Sequence, residues 1–258
     1  MQVCKTARRG CENFERRREI ICSHKYMKIK ILYENKDILA IDKPSGVLVD
    51  TVAETYPKFI LAHRLDQETS GVLLLAKNKK AHQFLKEQFQ ARTIKKVYLT
   101  IVNGWVKNDR GIINKPIGRS PKDFRRHSAG RGARGELREA ETFYKVLKRL
   151  ILPLDPSFIK EGETSLDKGR QEGLFTVLEV RPKTGRTHQI RVHMKYLNHP
   201  VVGDALYNPN GVCPKGLKRM ALHAKSIEFK NLKGEVIKIE SSLPKEFNDL
   251  LKSSDNKK

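Results

Sequence analysis

Three short segments carry residue types that could do chemistry. The first reads His63-Arg64-Leu65-Asp66-Gln67-Glu68-Thr69-Ser70-Gly71, a polar loop feeding straight into an apolar run at 72–76. A carboxylate at Asp66 beside Arg64 can be held ionised by the guanidinium. The plainer reading of the same residues is that Asp66 or Thr69 only shapes a turn. The second segment is Thr184-Gly185-Arg186-Thr187-His188-Gln189-Ile190-Arg191-Val192-His193. Its glycine and threonine can open a helix whose free N–H groups favour an anion, with Arg186, His188, Arg191 and His193 crowded behind them. A solvated basic face fits that cluster too, and two histidines at i, i+5 are poorly placed as paired metal ligands, so no metal site is expected. The third is Lys95-Lys96-Val97-Tyr98, a tyrosine on a predicted strand after two lysines, where core or cross-strand packing is the plainer reading than a functional role.

The elements that must position these groups are mostly strands. Residues 29–33 and 38–41 are apolar runs around the turn-forming Asn35-Lys36-Asp37. Asn78 can cap a helix to about residue 91, with Ala81, Phe84, Leu85 and Phe89 on one face. Residues 94–102 read as a strand ended by Asn103-Gly104, and 142–147 and 174–180 as two more. A short helix is predicted over 187–197, with Ile190, Met194 and Leu197 spaced for burial. Residues 227–229 and 236–239 flank Asn231-Leu232-Lys233-Gly234 in a hairpin pattern. Residues 119–138 read as a glycine-rich basic loop, seven Arg or Lys against Asp123 and Glu136, and 153–173 as a polar, extended insertion. Many strands, few helices and no regular βαβ alternation predict an α+β domain on a mixed, mainly antiparallel sheet with flanking helices and loops.

The chain has 258 residues, 38% of them apolar, enough to bury a sizeable core. Its 52 Lys and Arg outnumber 29 Asp and Glu, a formal charge of +23 that points to an extended polyanion as partner. No run approaches the ~18 consecutive apolar residues of a membrane span. Arg8, Arg9, Arg16, Arg17 and Arg18 have no apolar segment behind them, so a secretory signal is not expected. Cys4, Cys11, Cys22 and Cys213 form no C-x-x-C pair and predict neither a zinc site nor a disulfide framework. These features predict a cytoplasmic protein with reduced thiols and no membrane contact. Residues 1–27 read as a flexible basic arm, partly helical over 14–22, with Met27 as an alternative start. A catalytic domain is expected over 28–247 and a disordered tail over 248–258.

Together the segments say more than each does alone. HRLDQETSGVLLLAKN, KKVYLTIVNG and TGRTHQIRVHMKYLNHPVVGDALY, in this order, resemble the RluA-like (ribosomal large-subunit) pseudouridine synthase family. KPSGVLV at 43–49 and KPIGRSPKD at 115–123 add to the resemblance, which runs over about 30–242. It implies an isomerase that detaches uracil from C1′ of a uridine in RNA, turns it and reattaches it through C5, with no metal or organic cofactor. It places the catalytic aspartate at Asp66, the active-site tyrosine at Tyr98 and the arginine partner of the aspartate at Arg191. Arg64 matches the arginine that fills the gap left by the flipped nucleotide. His63, Arg186, His188, Arg119, Arg125 and Arg126 are the further RNA-binding candidates. Large-subunit ribosomal RNA is the expected substrate, because KPIGRSPKD resembles the large-subunit enzymes. Transfer RNA, or a non-catalytic role in RNA binding or ribosome assembly, are the alternatives. Only some 27 residues precede the first matching strand, too few for the S4-type RNA-binding domain common in the family. Target selection is therefore expected to rest on the catalytic domain, its basic arm and its loops, in a protein acting as a monomer.

Overall fold

The computed structural model describes residues 19–21, 28–156 and 172–253. The first strands are β1 (Glu19–Ile21), β2 (Lys28–Glu34), β3 (Ile38–Lys43), β4 (Ile60–Leu61), β5 (Ser70–Ala76), β6 (Lys95–Asn103) and β7 (Arg110–Asn114). Then come three short strands, β8 (Ile117–Arg119), β9 (His127–Ala129) and β10 (Arg134–Arg138). The last four are β11 (Glu141–Pro153), β12 (Glu172–Pro182), β13 (Leu222–Lys230) and β14 (Val236–Glu240). The helices are α1 (Val49–Thr55), α2 (Lys79–Gln90), α3 (Gln189–Tyr196) and α4 (Lys245–Ser253).

Eleven strands form one sheet in the order β1-β2-β3-β5-β13-β6-β12-β11-β7, with β4 on β5 and β14 on β13. Every pairing in it is antiparallel except β5 with β13. The predicted α+β class therefore holds. Strand β5 (SGVLLLA) is buried at every position, which explains its continuous apolar run: both faces of this central strand are covered. The parallel junction depends on Gly71, which has φ +108° and where a Cβ would lie 2.2 Å from the carbonyl oxygen of Ala224. Because Asp66 sits five residues earlier, the same close approach anchors the loop that carries it. On one flank α2 starts at Asn78, whose side chain accepts the Ala81 N–H at 2.8 Å, and buries Ala81 and Leu85.

Three expectations change. Residues 119–138 are not a loop: β8, β9 and β10 pair antiparallel into a separate three-stranded sheet in the order β10-β8-β9. Its strands are three to five residues long and β10 is exposed throughout, so no apolar alternation marks it. The tail is folded as far as Ser253, because Phe247 and Leu250 of α4 are buried in the core; residues 254–258 lie outside the described residues. Glu19–Ile21 are a strand on β2, not part of a helix, and the rest of 1–27 is outside the described residues. The 153–173 segment joins the ends of the long β11–β12 ladder, and its residues 157–171 are likewise outside. Among the described residues, no helix is long and apolar enough to cross a membrane.

Candidate active site

The Asp66 loop, between β4 and β5, is laced to the segment after β3. Lys43 is fully buried and its ammonium donates to the carbonyls of Pro44, Val47 and Gln67 at 2.8, 2.8 and 2.9 Å. Burial, with the Arg219 charge adding, brings this lysine down to about 8. Ser45 Oγ donates to Glu68 O at 2.6 Å, Gly46 N–H to Gln67 O at 2.9 Å, and Gln67 Nε2 to Gly46 O at 3.0 Å. The KPSG segment thus serves as a clamp on the loop. His63 completes it by accepting the Leu74 N–H at 3.1 Å through Nε2. Burial and the nearby Lys96 push His63 down to about 4, so it is neutral.

Arg191 reaches Asp66 from the first turn of α3. Its Nη1 donates to Asp66 Oδ2 at 3.1 Å, while Nε and Nη2 make a two-pronged contact with Asp204 at 2.7 and 2.8 Å. Asp204 is completely buried, and its Oδ1 also accepts the backbone N–H groups of Leu206 and Tyr207 at 3.0 and 2.9 Å. The turn needs Gly203, at φ +70°, where a Cβ would meet the Arg219 carbonyl at 2.5 Å. Burial works against the charge of Arg191, but Asp204, with Asp66 adding, outweighs it and raises the guanidinium pKa. The ring of Tyr207 lies under the guanidinium, 4.9 Å from centroid to Cζ. Asp66 thus receives the one arm of a locked guanidinium that Asp204 leaves over, and it stays 24% exposed at the cleft.

Tyr98 and Lys96 project into the same cleft from β6. Burial, then the charge of Asp66, raises the Tyr98 pKa, so the phenol is a neutral donor. Lys96 donates to Thr184 O at 3.0 Å and is brought down to about 8 by burial. His188 is left-handed at φ 54° immediately before α3, so the helix begins two residues later than predicted and without a side-chain cap. Tyr207 Oη accepts the His127 N–H at 2.9 Å and shares a hydrogen bond with His188 Nδ1, also at 2.9 Å. Burial lowers the pKa of His188, with the Asp66 charge opposing. His63 therefore lines the cleft as a neutral hydrogen-bonding group, and burial disfavours the charged form of His188 beside it. His193 is buried, bonded to Thr142 Oγ1 and Lys115 O at 2.8 and 3.0 Å, and is structural.

The cleft has a volume of about 820 Å³, in the range that takes a nucleoside-sized group. It gathers His63, Arg64, Asp66, Tyr98, Arg186, His188 and Arg191 from segments far apart in the chain. Arg186 is held at its rim, Nε to Glu139 O at 2.9 Å. Arg119, Arg125 and Arg126 are not in the lining: they lie on β8 and on the turn that follows it. Lys96 in the lining, and Asp204, Tyr207, His127 and Lys43 outside it but bonded to the site's loops and side chains, are the residues that residue-type reasoning passed over. Only their place inside the quoted motif blocks, for all but His127, could have marked them.

An electron-rich carboxylate on a fixed guanidinium, facing a neutral phenol across a cationic cleft, suits attack on the sugar carbon of an extruded nucleoside. The model of the RNA pseudouridylate synthase family matches residues 37–196, which include Asp66, Tyr98 and Arg191. The chain belongs to this family. Its members are isomerases acting on RNA, and this protein is one of them. It is 32% identical over 253 residues to ribosomal large subunit pseudouridine synthase D of Xanthomonas campestris, covering 86% of this chain and 68% of that one. It is 34% identical over 213 residues to the dual-specificity RNA pseudouridine synthase RluA of Vibrio vulnificus, covering 78% and 77%. Among solved structures, human RNA pseudouridylate synthase domain containing 1 superposes with a TM-score of 0.68 at 27% identity, covering 84% of each chain.

Proposed function

We propose that this synthase isomerises uridines in large-subunit ribosomal RNA, with Asp66 as the reacting group. The observation that carries the chemistry is the single ion pair from Arg191 to Asp66, made by a guanidinium whose other arm is committed to Asp204. The target base is inaccessible while stacked and must be extruded, at a cost of a few kcal/mol. Arg64, exposed at the cleft mouth, offsets part of this by stacking on the neighbouring bases. The ionised Asp66 then either attacks C1′, forming an ester as the glycosidic bond to N1 breaks, or removes a sugar proton to give a glycal. Uracil then turns; in the first route C5 displaces the Asp66 carboxylate from C1′, and in the second C5 adds to C1′ of the glycal while Asp66 returns the proton to the sugar. In both, the proton lost from C5 is balanced by one gained at N1. Tyr98 stacks on the uracil and its phenol is placed to relay that proton. Arg191 holds the carboxylate aimed throughout. The remaining cations neutralise phosphates, which gives affinity that weakens with salt but carries little sequence information.

The ribosomal assignment draws on the KPIGRSPKD block and on the named activity of the Xanthomonas relative. Incubating the protein with unmodified transcripts of large-subunit ribosomal RNA and of transfer RNAs, followed by carbodiimide-stop mapping, tests it. Stops at defined uridines of the ribosomal transcript are expected. Stops confined to transfer RNA would overturn the assignment, and RNA binding without any modification would overturn the enzymatic reading of this site.

A further inference from the structure

Outside the cleft, the turn between β8 and β9 combines features that the reaction chemistry does not use. Phe124, at its tip, is 83% exposed, more than any other large apolar residue among those described. One exposed apolar side chain is ordinary on a protein surface. Here, however, the backbone on both sides of it is fixed. Asp123 Oδ1 accepts the Arg125 N–H at 2.9 Å, the Arg126 N–H reaches Asp123 O at 3.0 Å, and the Ser120 N–H reaches Arg126 O at 3.0 Å. The Asp123 carboxylate also pairs with both guanidiniums, at 3.0 Å to Arg125 and 3.3 Å to Arg126. A rigid turn therefore holds an aromatic ring in water, where it contributes nothing to the core.

Two further observations indicate what the ring meets. Its flanks are cationic: Lys122, Arg125 and Arg126 adjoin it, and the charges of Arg126 and Lys122 both oppose protonation of Lys195 on α3, so these cations converge from two elements. The turn is also tied to the reaction centre. Three residues on, the His127 N–H donates to the Tyr207 hydroxyl, and the Tyr207 ring supports Arg191. Three residues reach at most about 10 Å, so the Phe124 backbone lies within that distance of His127, whose ring packs edge-on at 5.8 Å against His188 of the cleft lining. An aromatic face between phosphate-binding cations is the composition that stacks unpaired bases.

We propose that the β8–β9 turn is a base-stacking wedge, in which Phe124 takes the face of an unpaired RNA base flanking the target uridine while Lys122, Arg126 and Lys195 hold the adjoining phosphates. The proposal rests on the RNA-modifying reading above and adds a substrate-positioning surface to it. The wedge selects RNA that can offer an unpaired base at that distance, which places part of target choice on this turn.

The test compares Phe124→Ala, Phe124→Tyr and Phe124→Leu in the full chain on a large-subunit ribosomal RNA transcript. Phe124→Ala is expected to raise KM about tenfold, within the span of one lost base stack, with most of the loss in KM rather than kcat. Its unfolding midpoint and the salt dependence of binding should stay at wild-type values, because no charge and no buried group is removed. Phe124→Tyr should restore KM and Phe124→Leu should not. By contrast, Lys122→Ala should lower the slope of log affinity against log salt by about one. A Phe124→Trp variant on a Trp105→Phe background should lose indole emission when the transcript is added. Wild-type KM in Phe124→Ala, or equal rescue by Leu and Tyr, would overturn the wedge. So would a shift in oligomeric state as the only effect of Phe124→Ala, which would assign the ring to a second copy. If the indole is quenched by RNA but the wild-type enzyme forms no pseudouridine, the wedge stands and the functional reading falls.

Discussion

In the cleft, one guanidinium holds two carboxylates; at the β8–β9 turn, one carboxylate holds two guanidiniums. The distances overlap, 2.7 to 3.1 Å in the first and 3.0 to 3.3 Å in the second. Burial separates them. Side-chain exposure is 8% for Arg191 and 0% for Asp204, but 64% for Arg125 and 30% for Arg126. The cleft group carries one positive and two negative charges. Its surplus negative charge falls on Asp66, because Asp204 has already claimed the better arms of Arg191. The turn has the opposite surplus, one cation left for phosphate. On the function proposed above, the same pair of functional groups would supply a reactive anion where it is buried and an RNA-facing cation where it is wet.

The largest effect should come from removing the surplus anion. Asp66→Asn keeps the shape and one hydrogen bond but cannot attack or abstract. Pseudouridine formation under single-turnover conditions should fall on the order of 10⁴-fold or more, the scale seen when a reacting side chain is lost. RNA affinity should stay within about tenfold, a 1.4 kcal/mol change. A variant with substantial activity would break the comparison at its root, since the surplus charge would then have no chemical use.

Next comes the group that creates the surplus. Asp204→Ala leaves Arg191 buried with only the partly exposed Asp66 as partner, so denaturant unfolding should show a loss of about 3–5 kcal/mol. Activity should fall with it, because the freed guanidinium can turn both arms onto Asp66 and neutralise it. Asp204→Asn, which keeps the backbone contacts from Leu206 and Tyr207, should lose less stability but still lose rate. A cost below about 1 kcal/mol for Asp204→Ala would place the cleft group in the same class as the exposed turn.

Burial also dictates a pH dependence. His223 is 1% exposed, shares a hydrogen bond between Nδ1 and Ser70 Oγ at 2.8 Å, and is pushed down to about 4 by burial and then by Arg219. Unfolded, it takes a proton near 6.5. Between those values the unfolded chain binds more protons, so stability falls as pH is lowered from 6.5 to 4 and is fully present above 6.5. The loss should be about 3 kcal/mol, and His223→Gln should flatten that part of a stability–pH profile. His63 acts in the same direction. If the profile is flat over this window in the wild type, burial is not holding these rings neutral.

Legibility followed the length of each pattern. Strand β5 and helix α2 could be read because an apolar run or a capped amphipathic face spans most of the element. Strands β8 to β10 could not: three to five residues, largely exposed, carry no period, and what makes them a sheet is pairing, not patterning. Helix α4 hid in a polar terminus because two residues, Phe247 and Leu250, do its anchoring. In the site, Asp66 by type alone was as good a turn former as an active group, and only the family blocks around it separated the two. Asp204 lies thirteen residues beyond Arg191, and its role depends on a left-handed Gly203 turn that tertiary packing places. Nothing local in PVVGDALY signals a buried carboxylate reaching back to α3.

The smallest expected effect is at Asp123, and it sharpens the contrast most. Asp123→Asn removes the carboxylate that holds Arg125 and Arg126 but leaves an Asn, which can still accept the Arg125 N–H and keep the turn. Because both guanidiniums are exposed enough to be solvated on release, the denaturation midpoint should not change measurably. RNA binding should move instead. With one anion gone, affinity at low salt should rise, and the slope of log affinity against log salt should steepen by up to about one. Uridine selectivity should loosen, since two freed arginines contact phosphate without regard to position. A neutralised anion that strengthens binding at the turn but abolishes reaction in the cleft is the signature that two like-built groups have been put to opposite uses. If Asp123→Asn instead destabilised the fold as Asp204→Ala does, the turn would be a structural ion pair, and its cations would not be available to RNA.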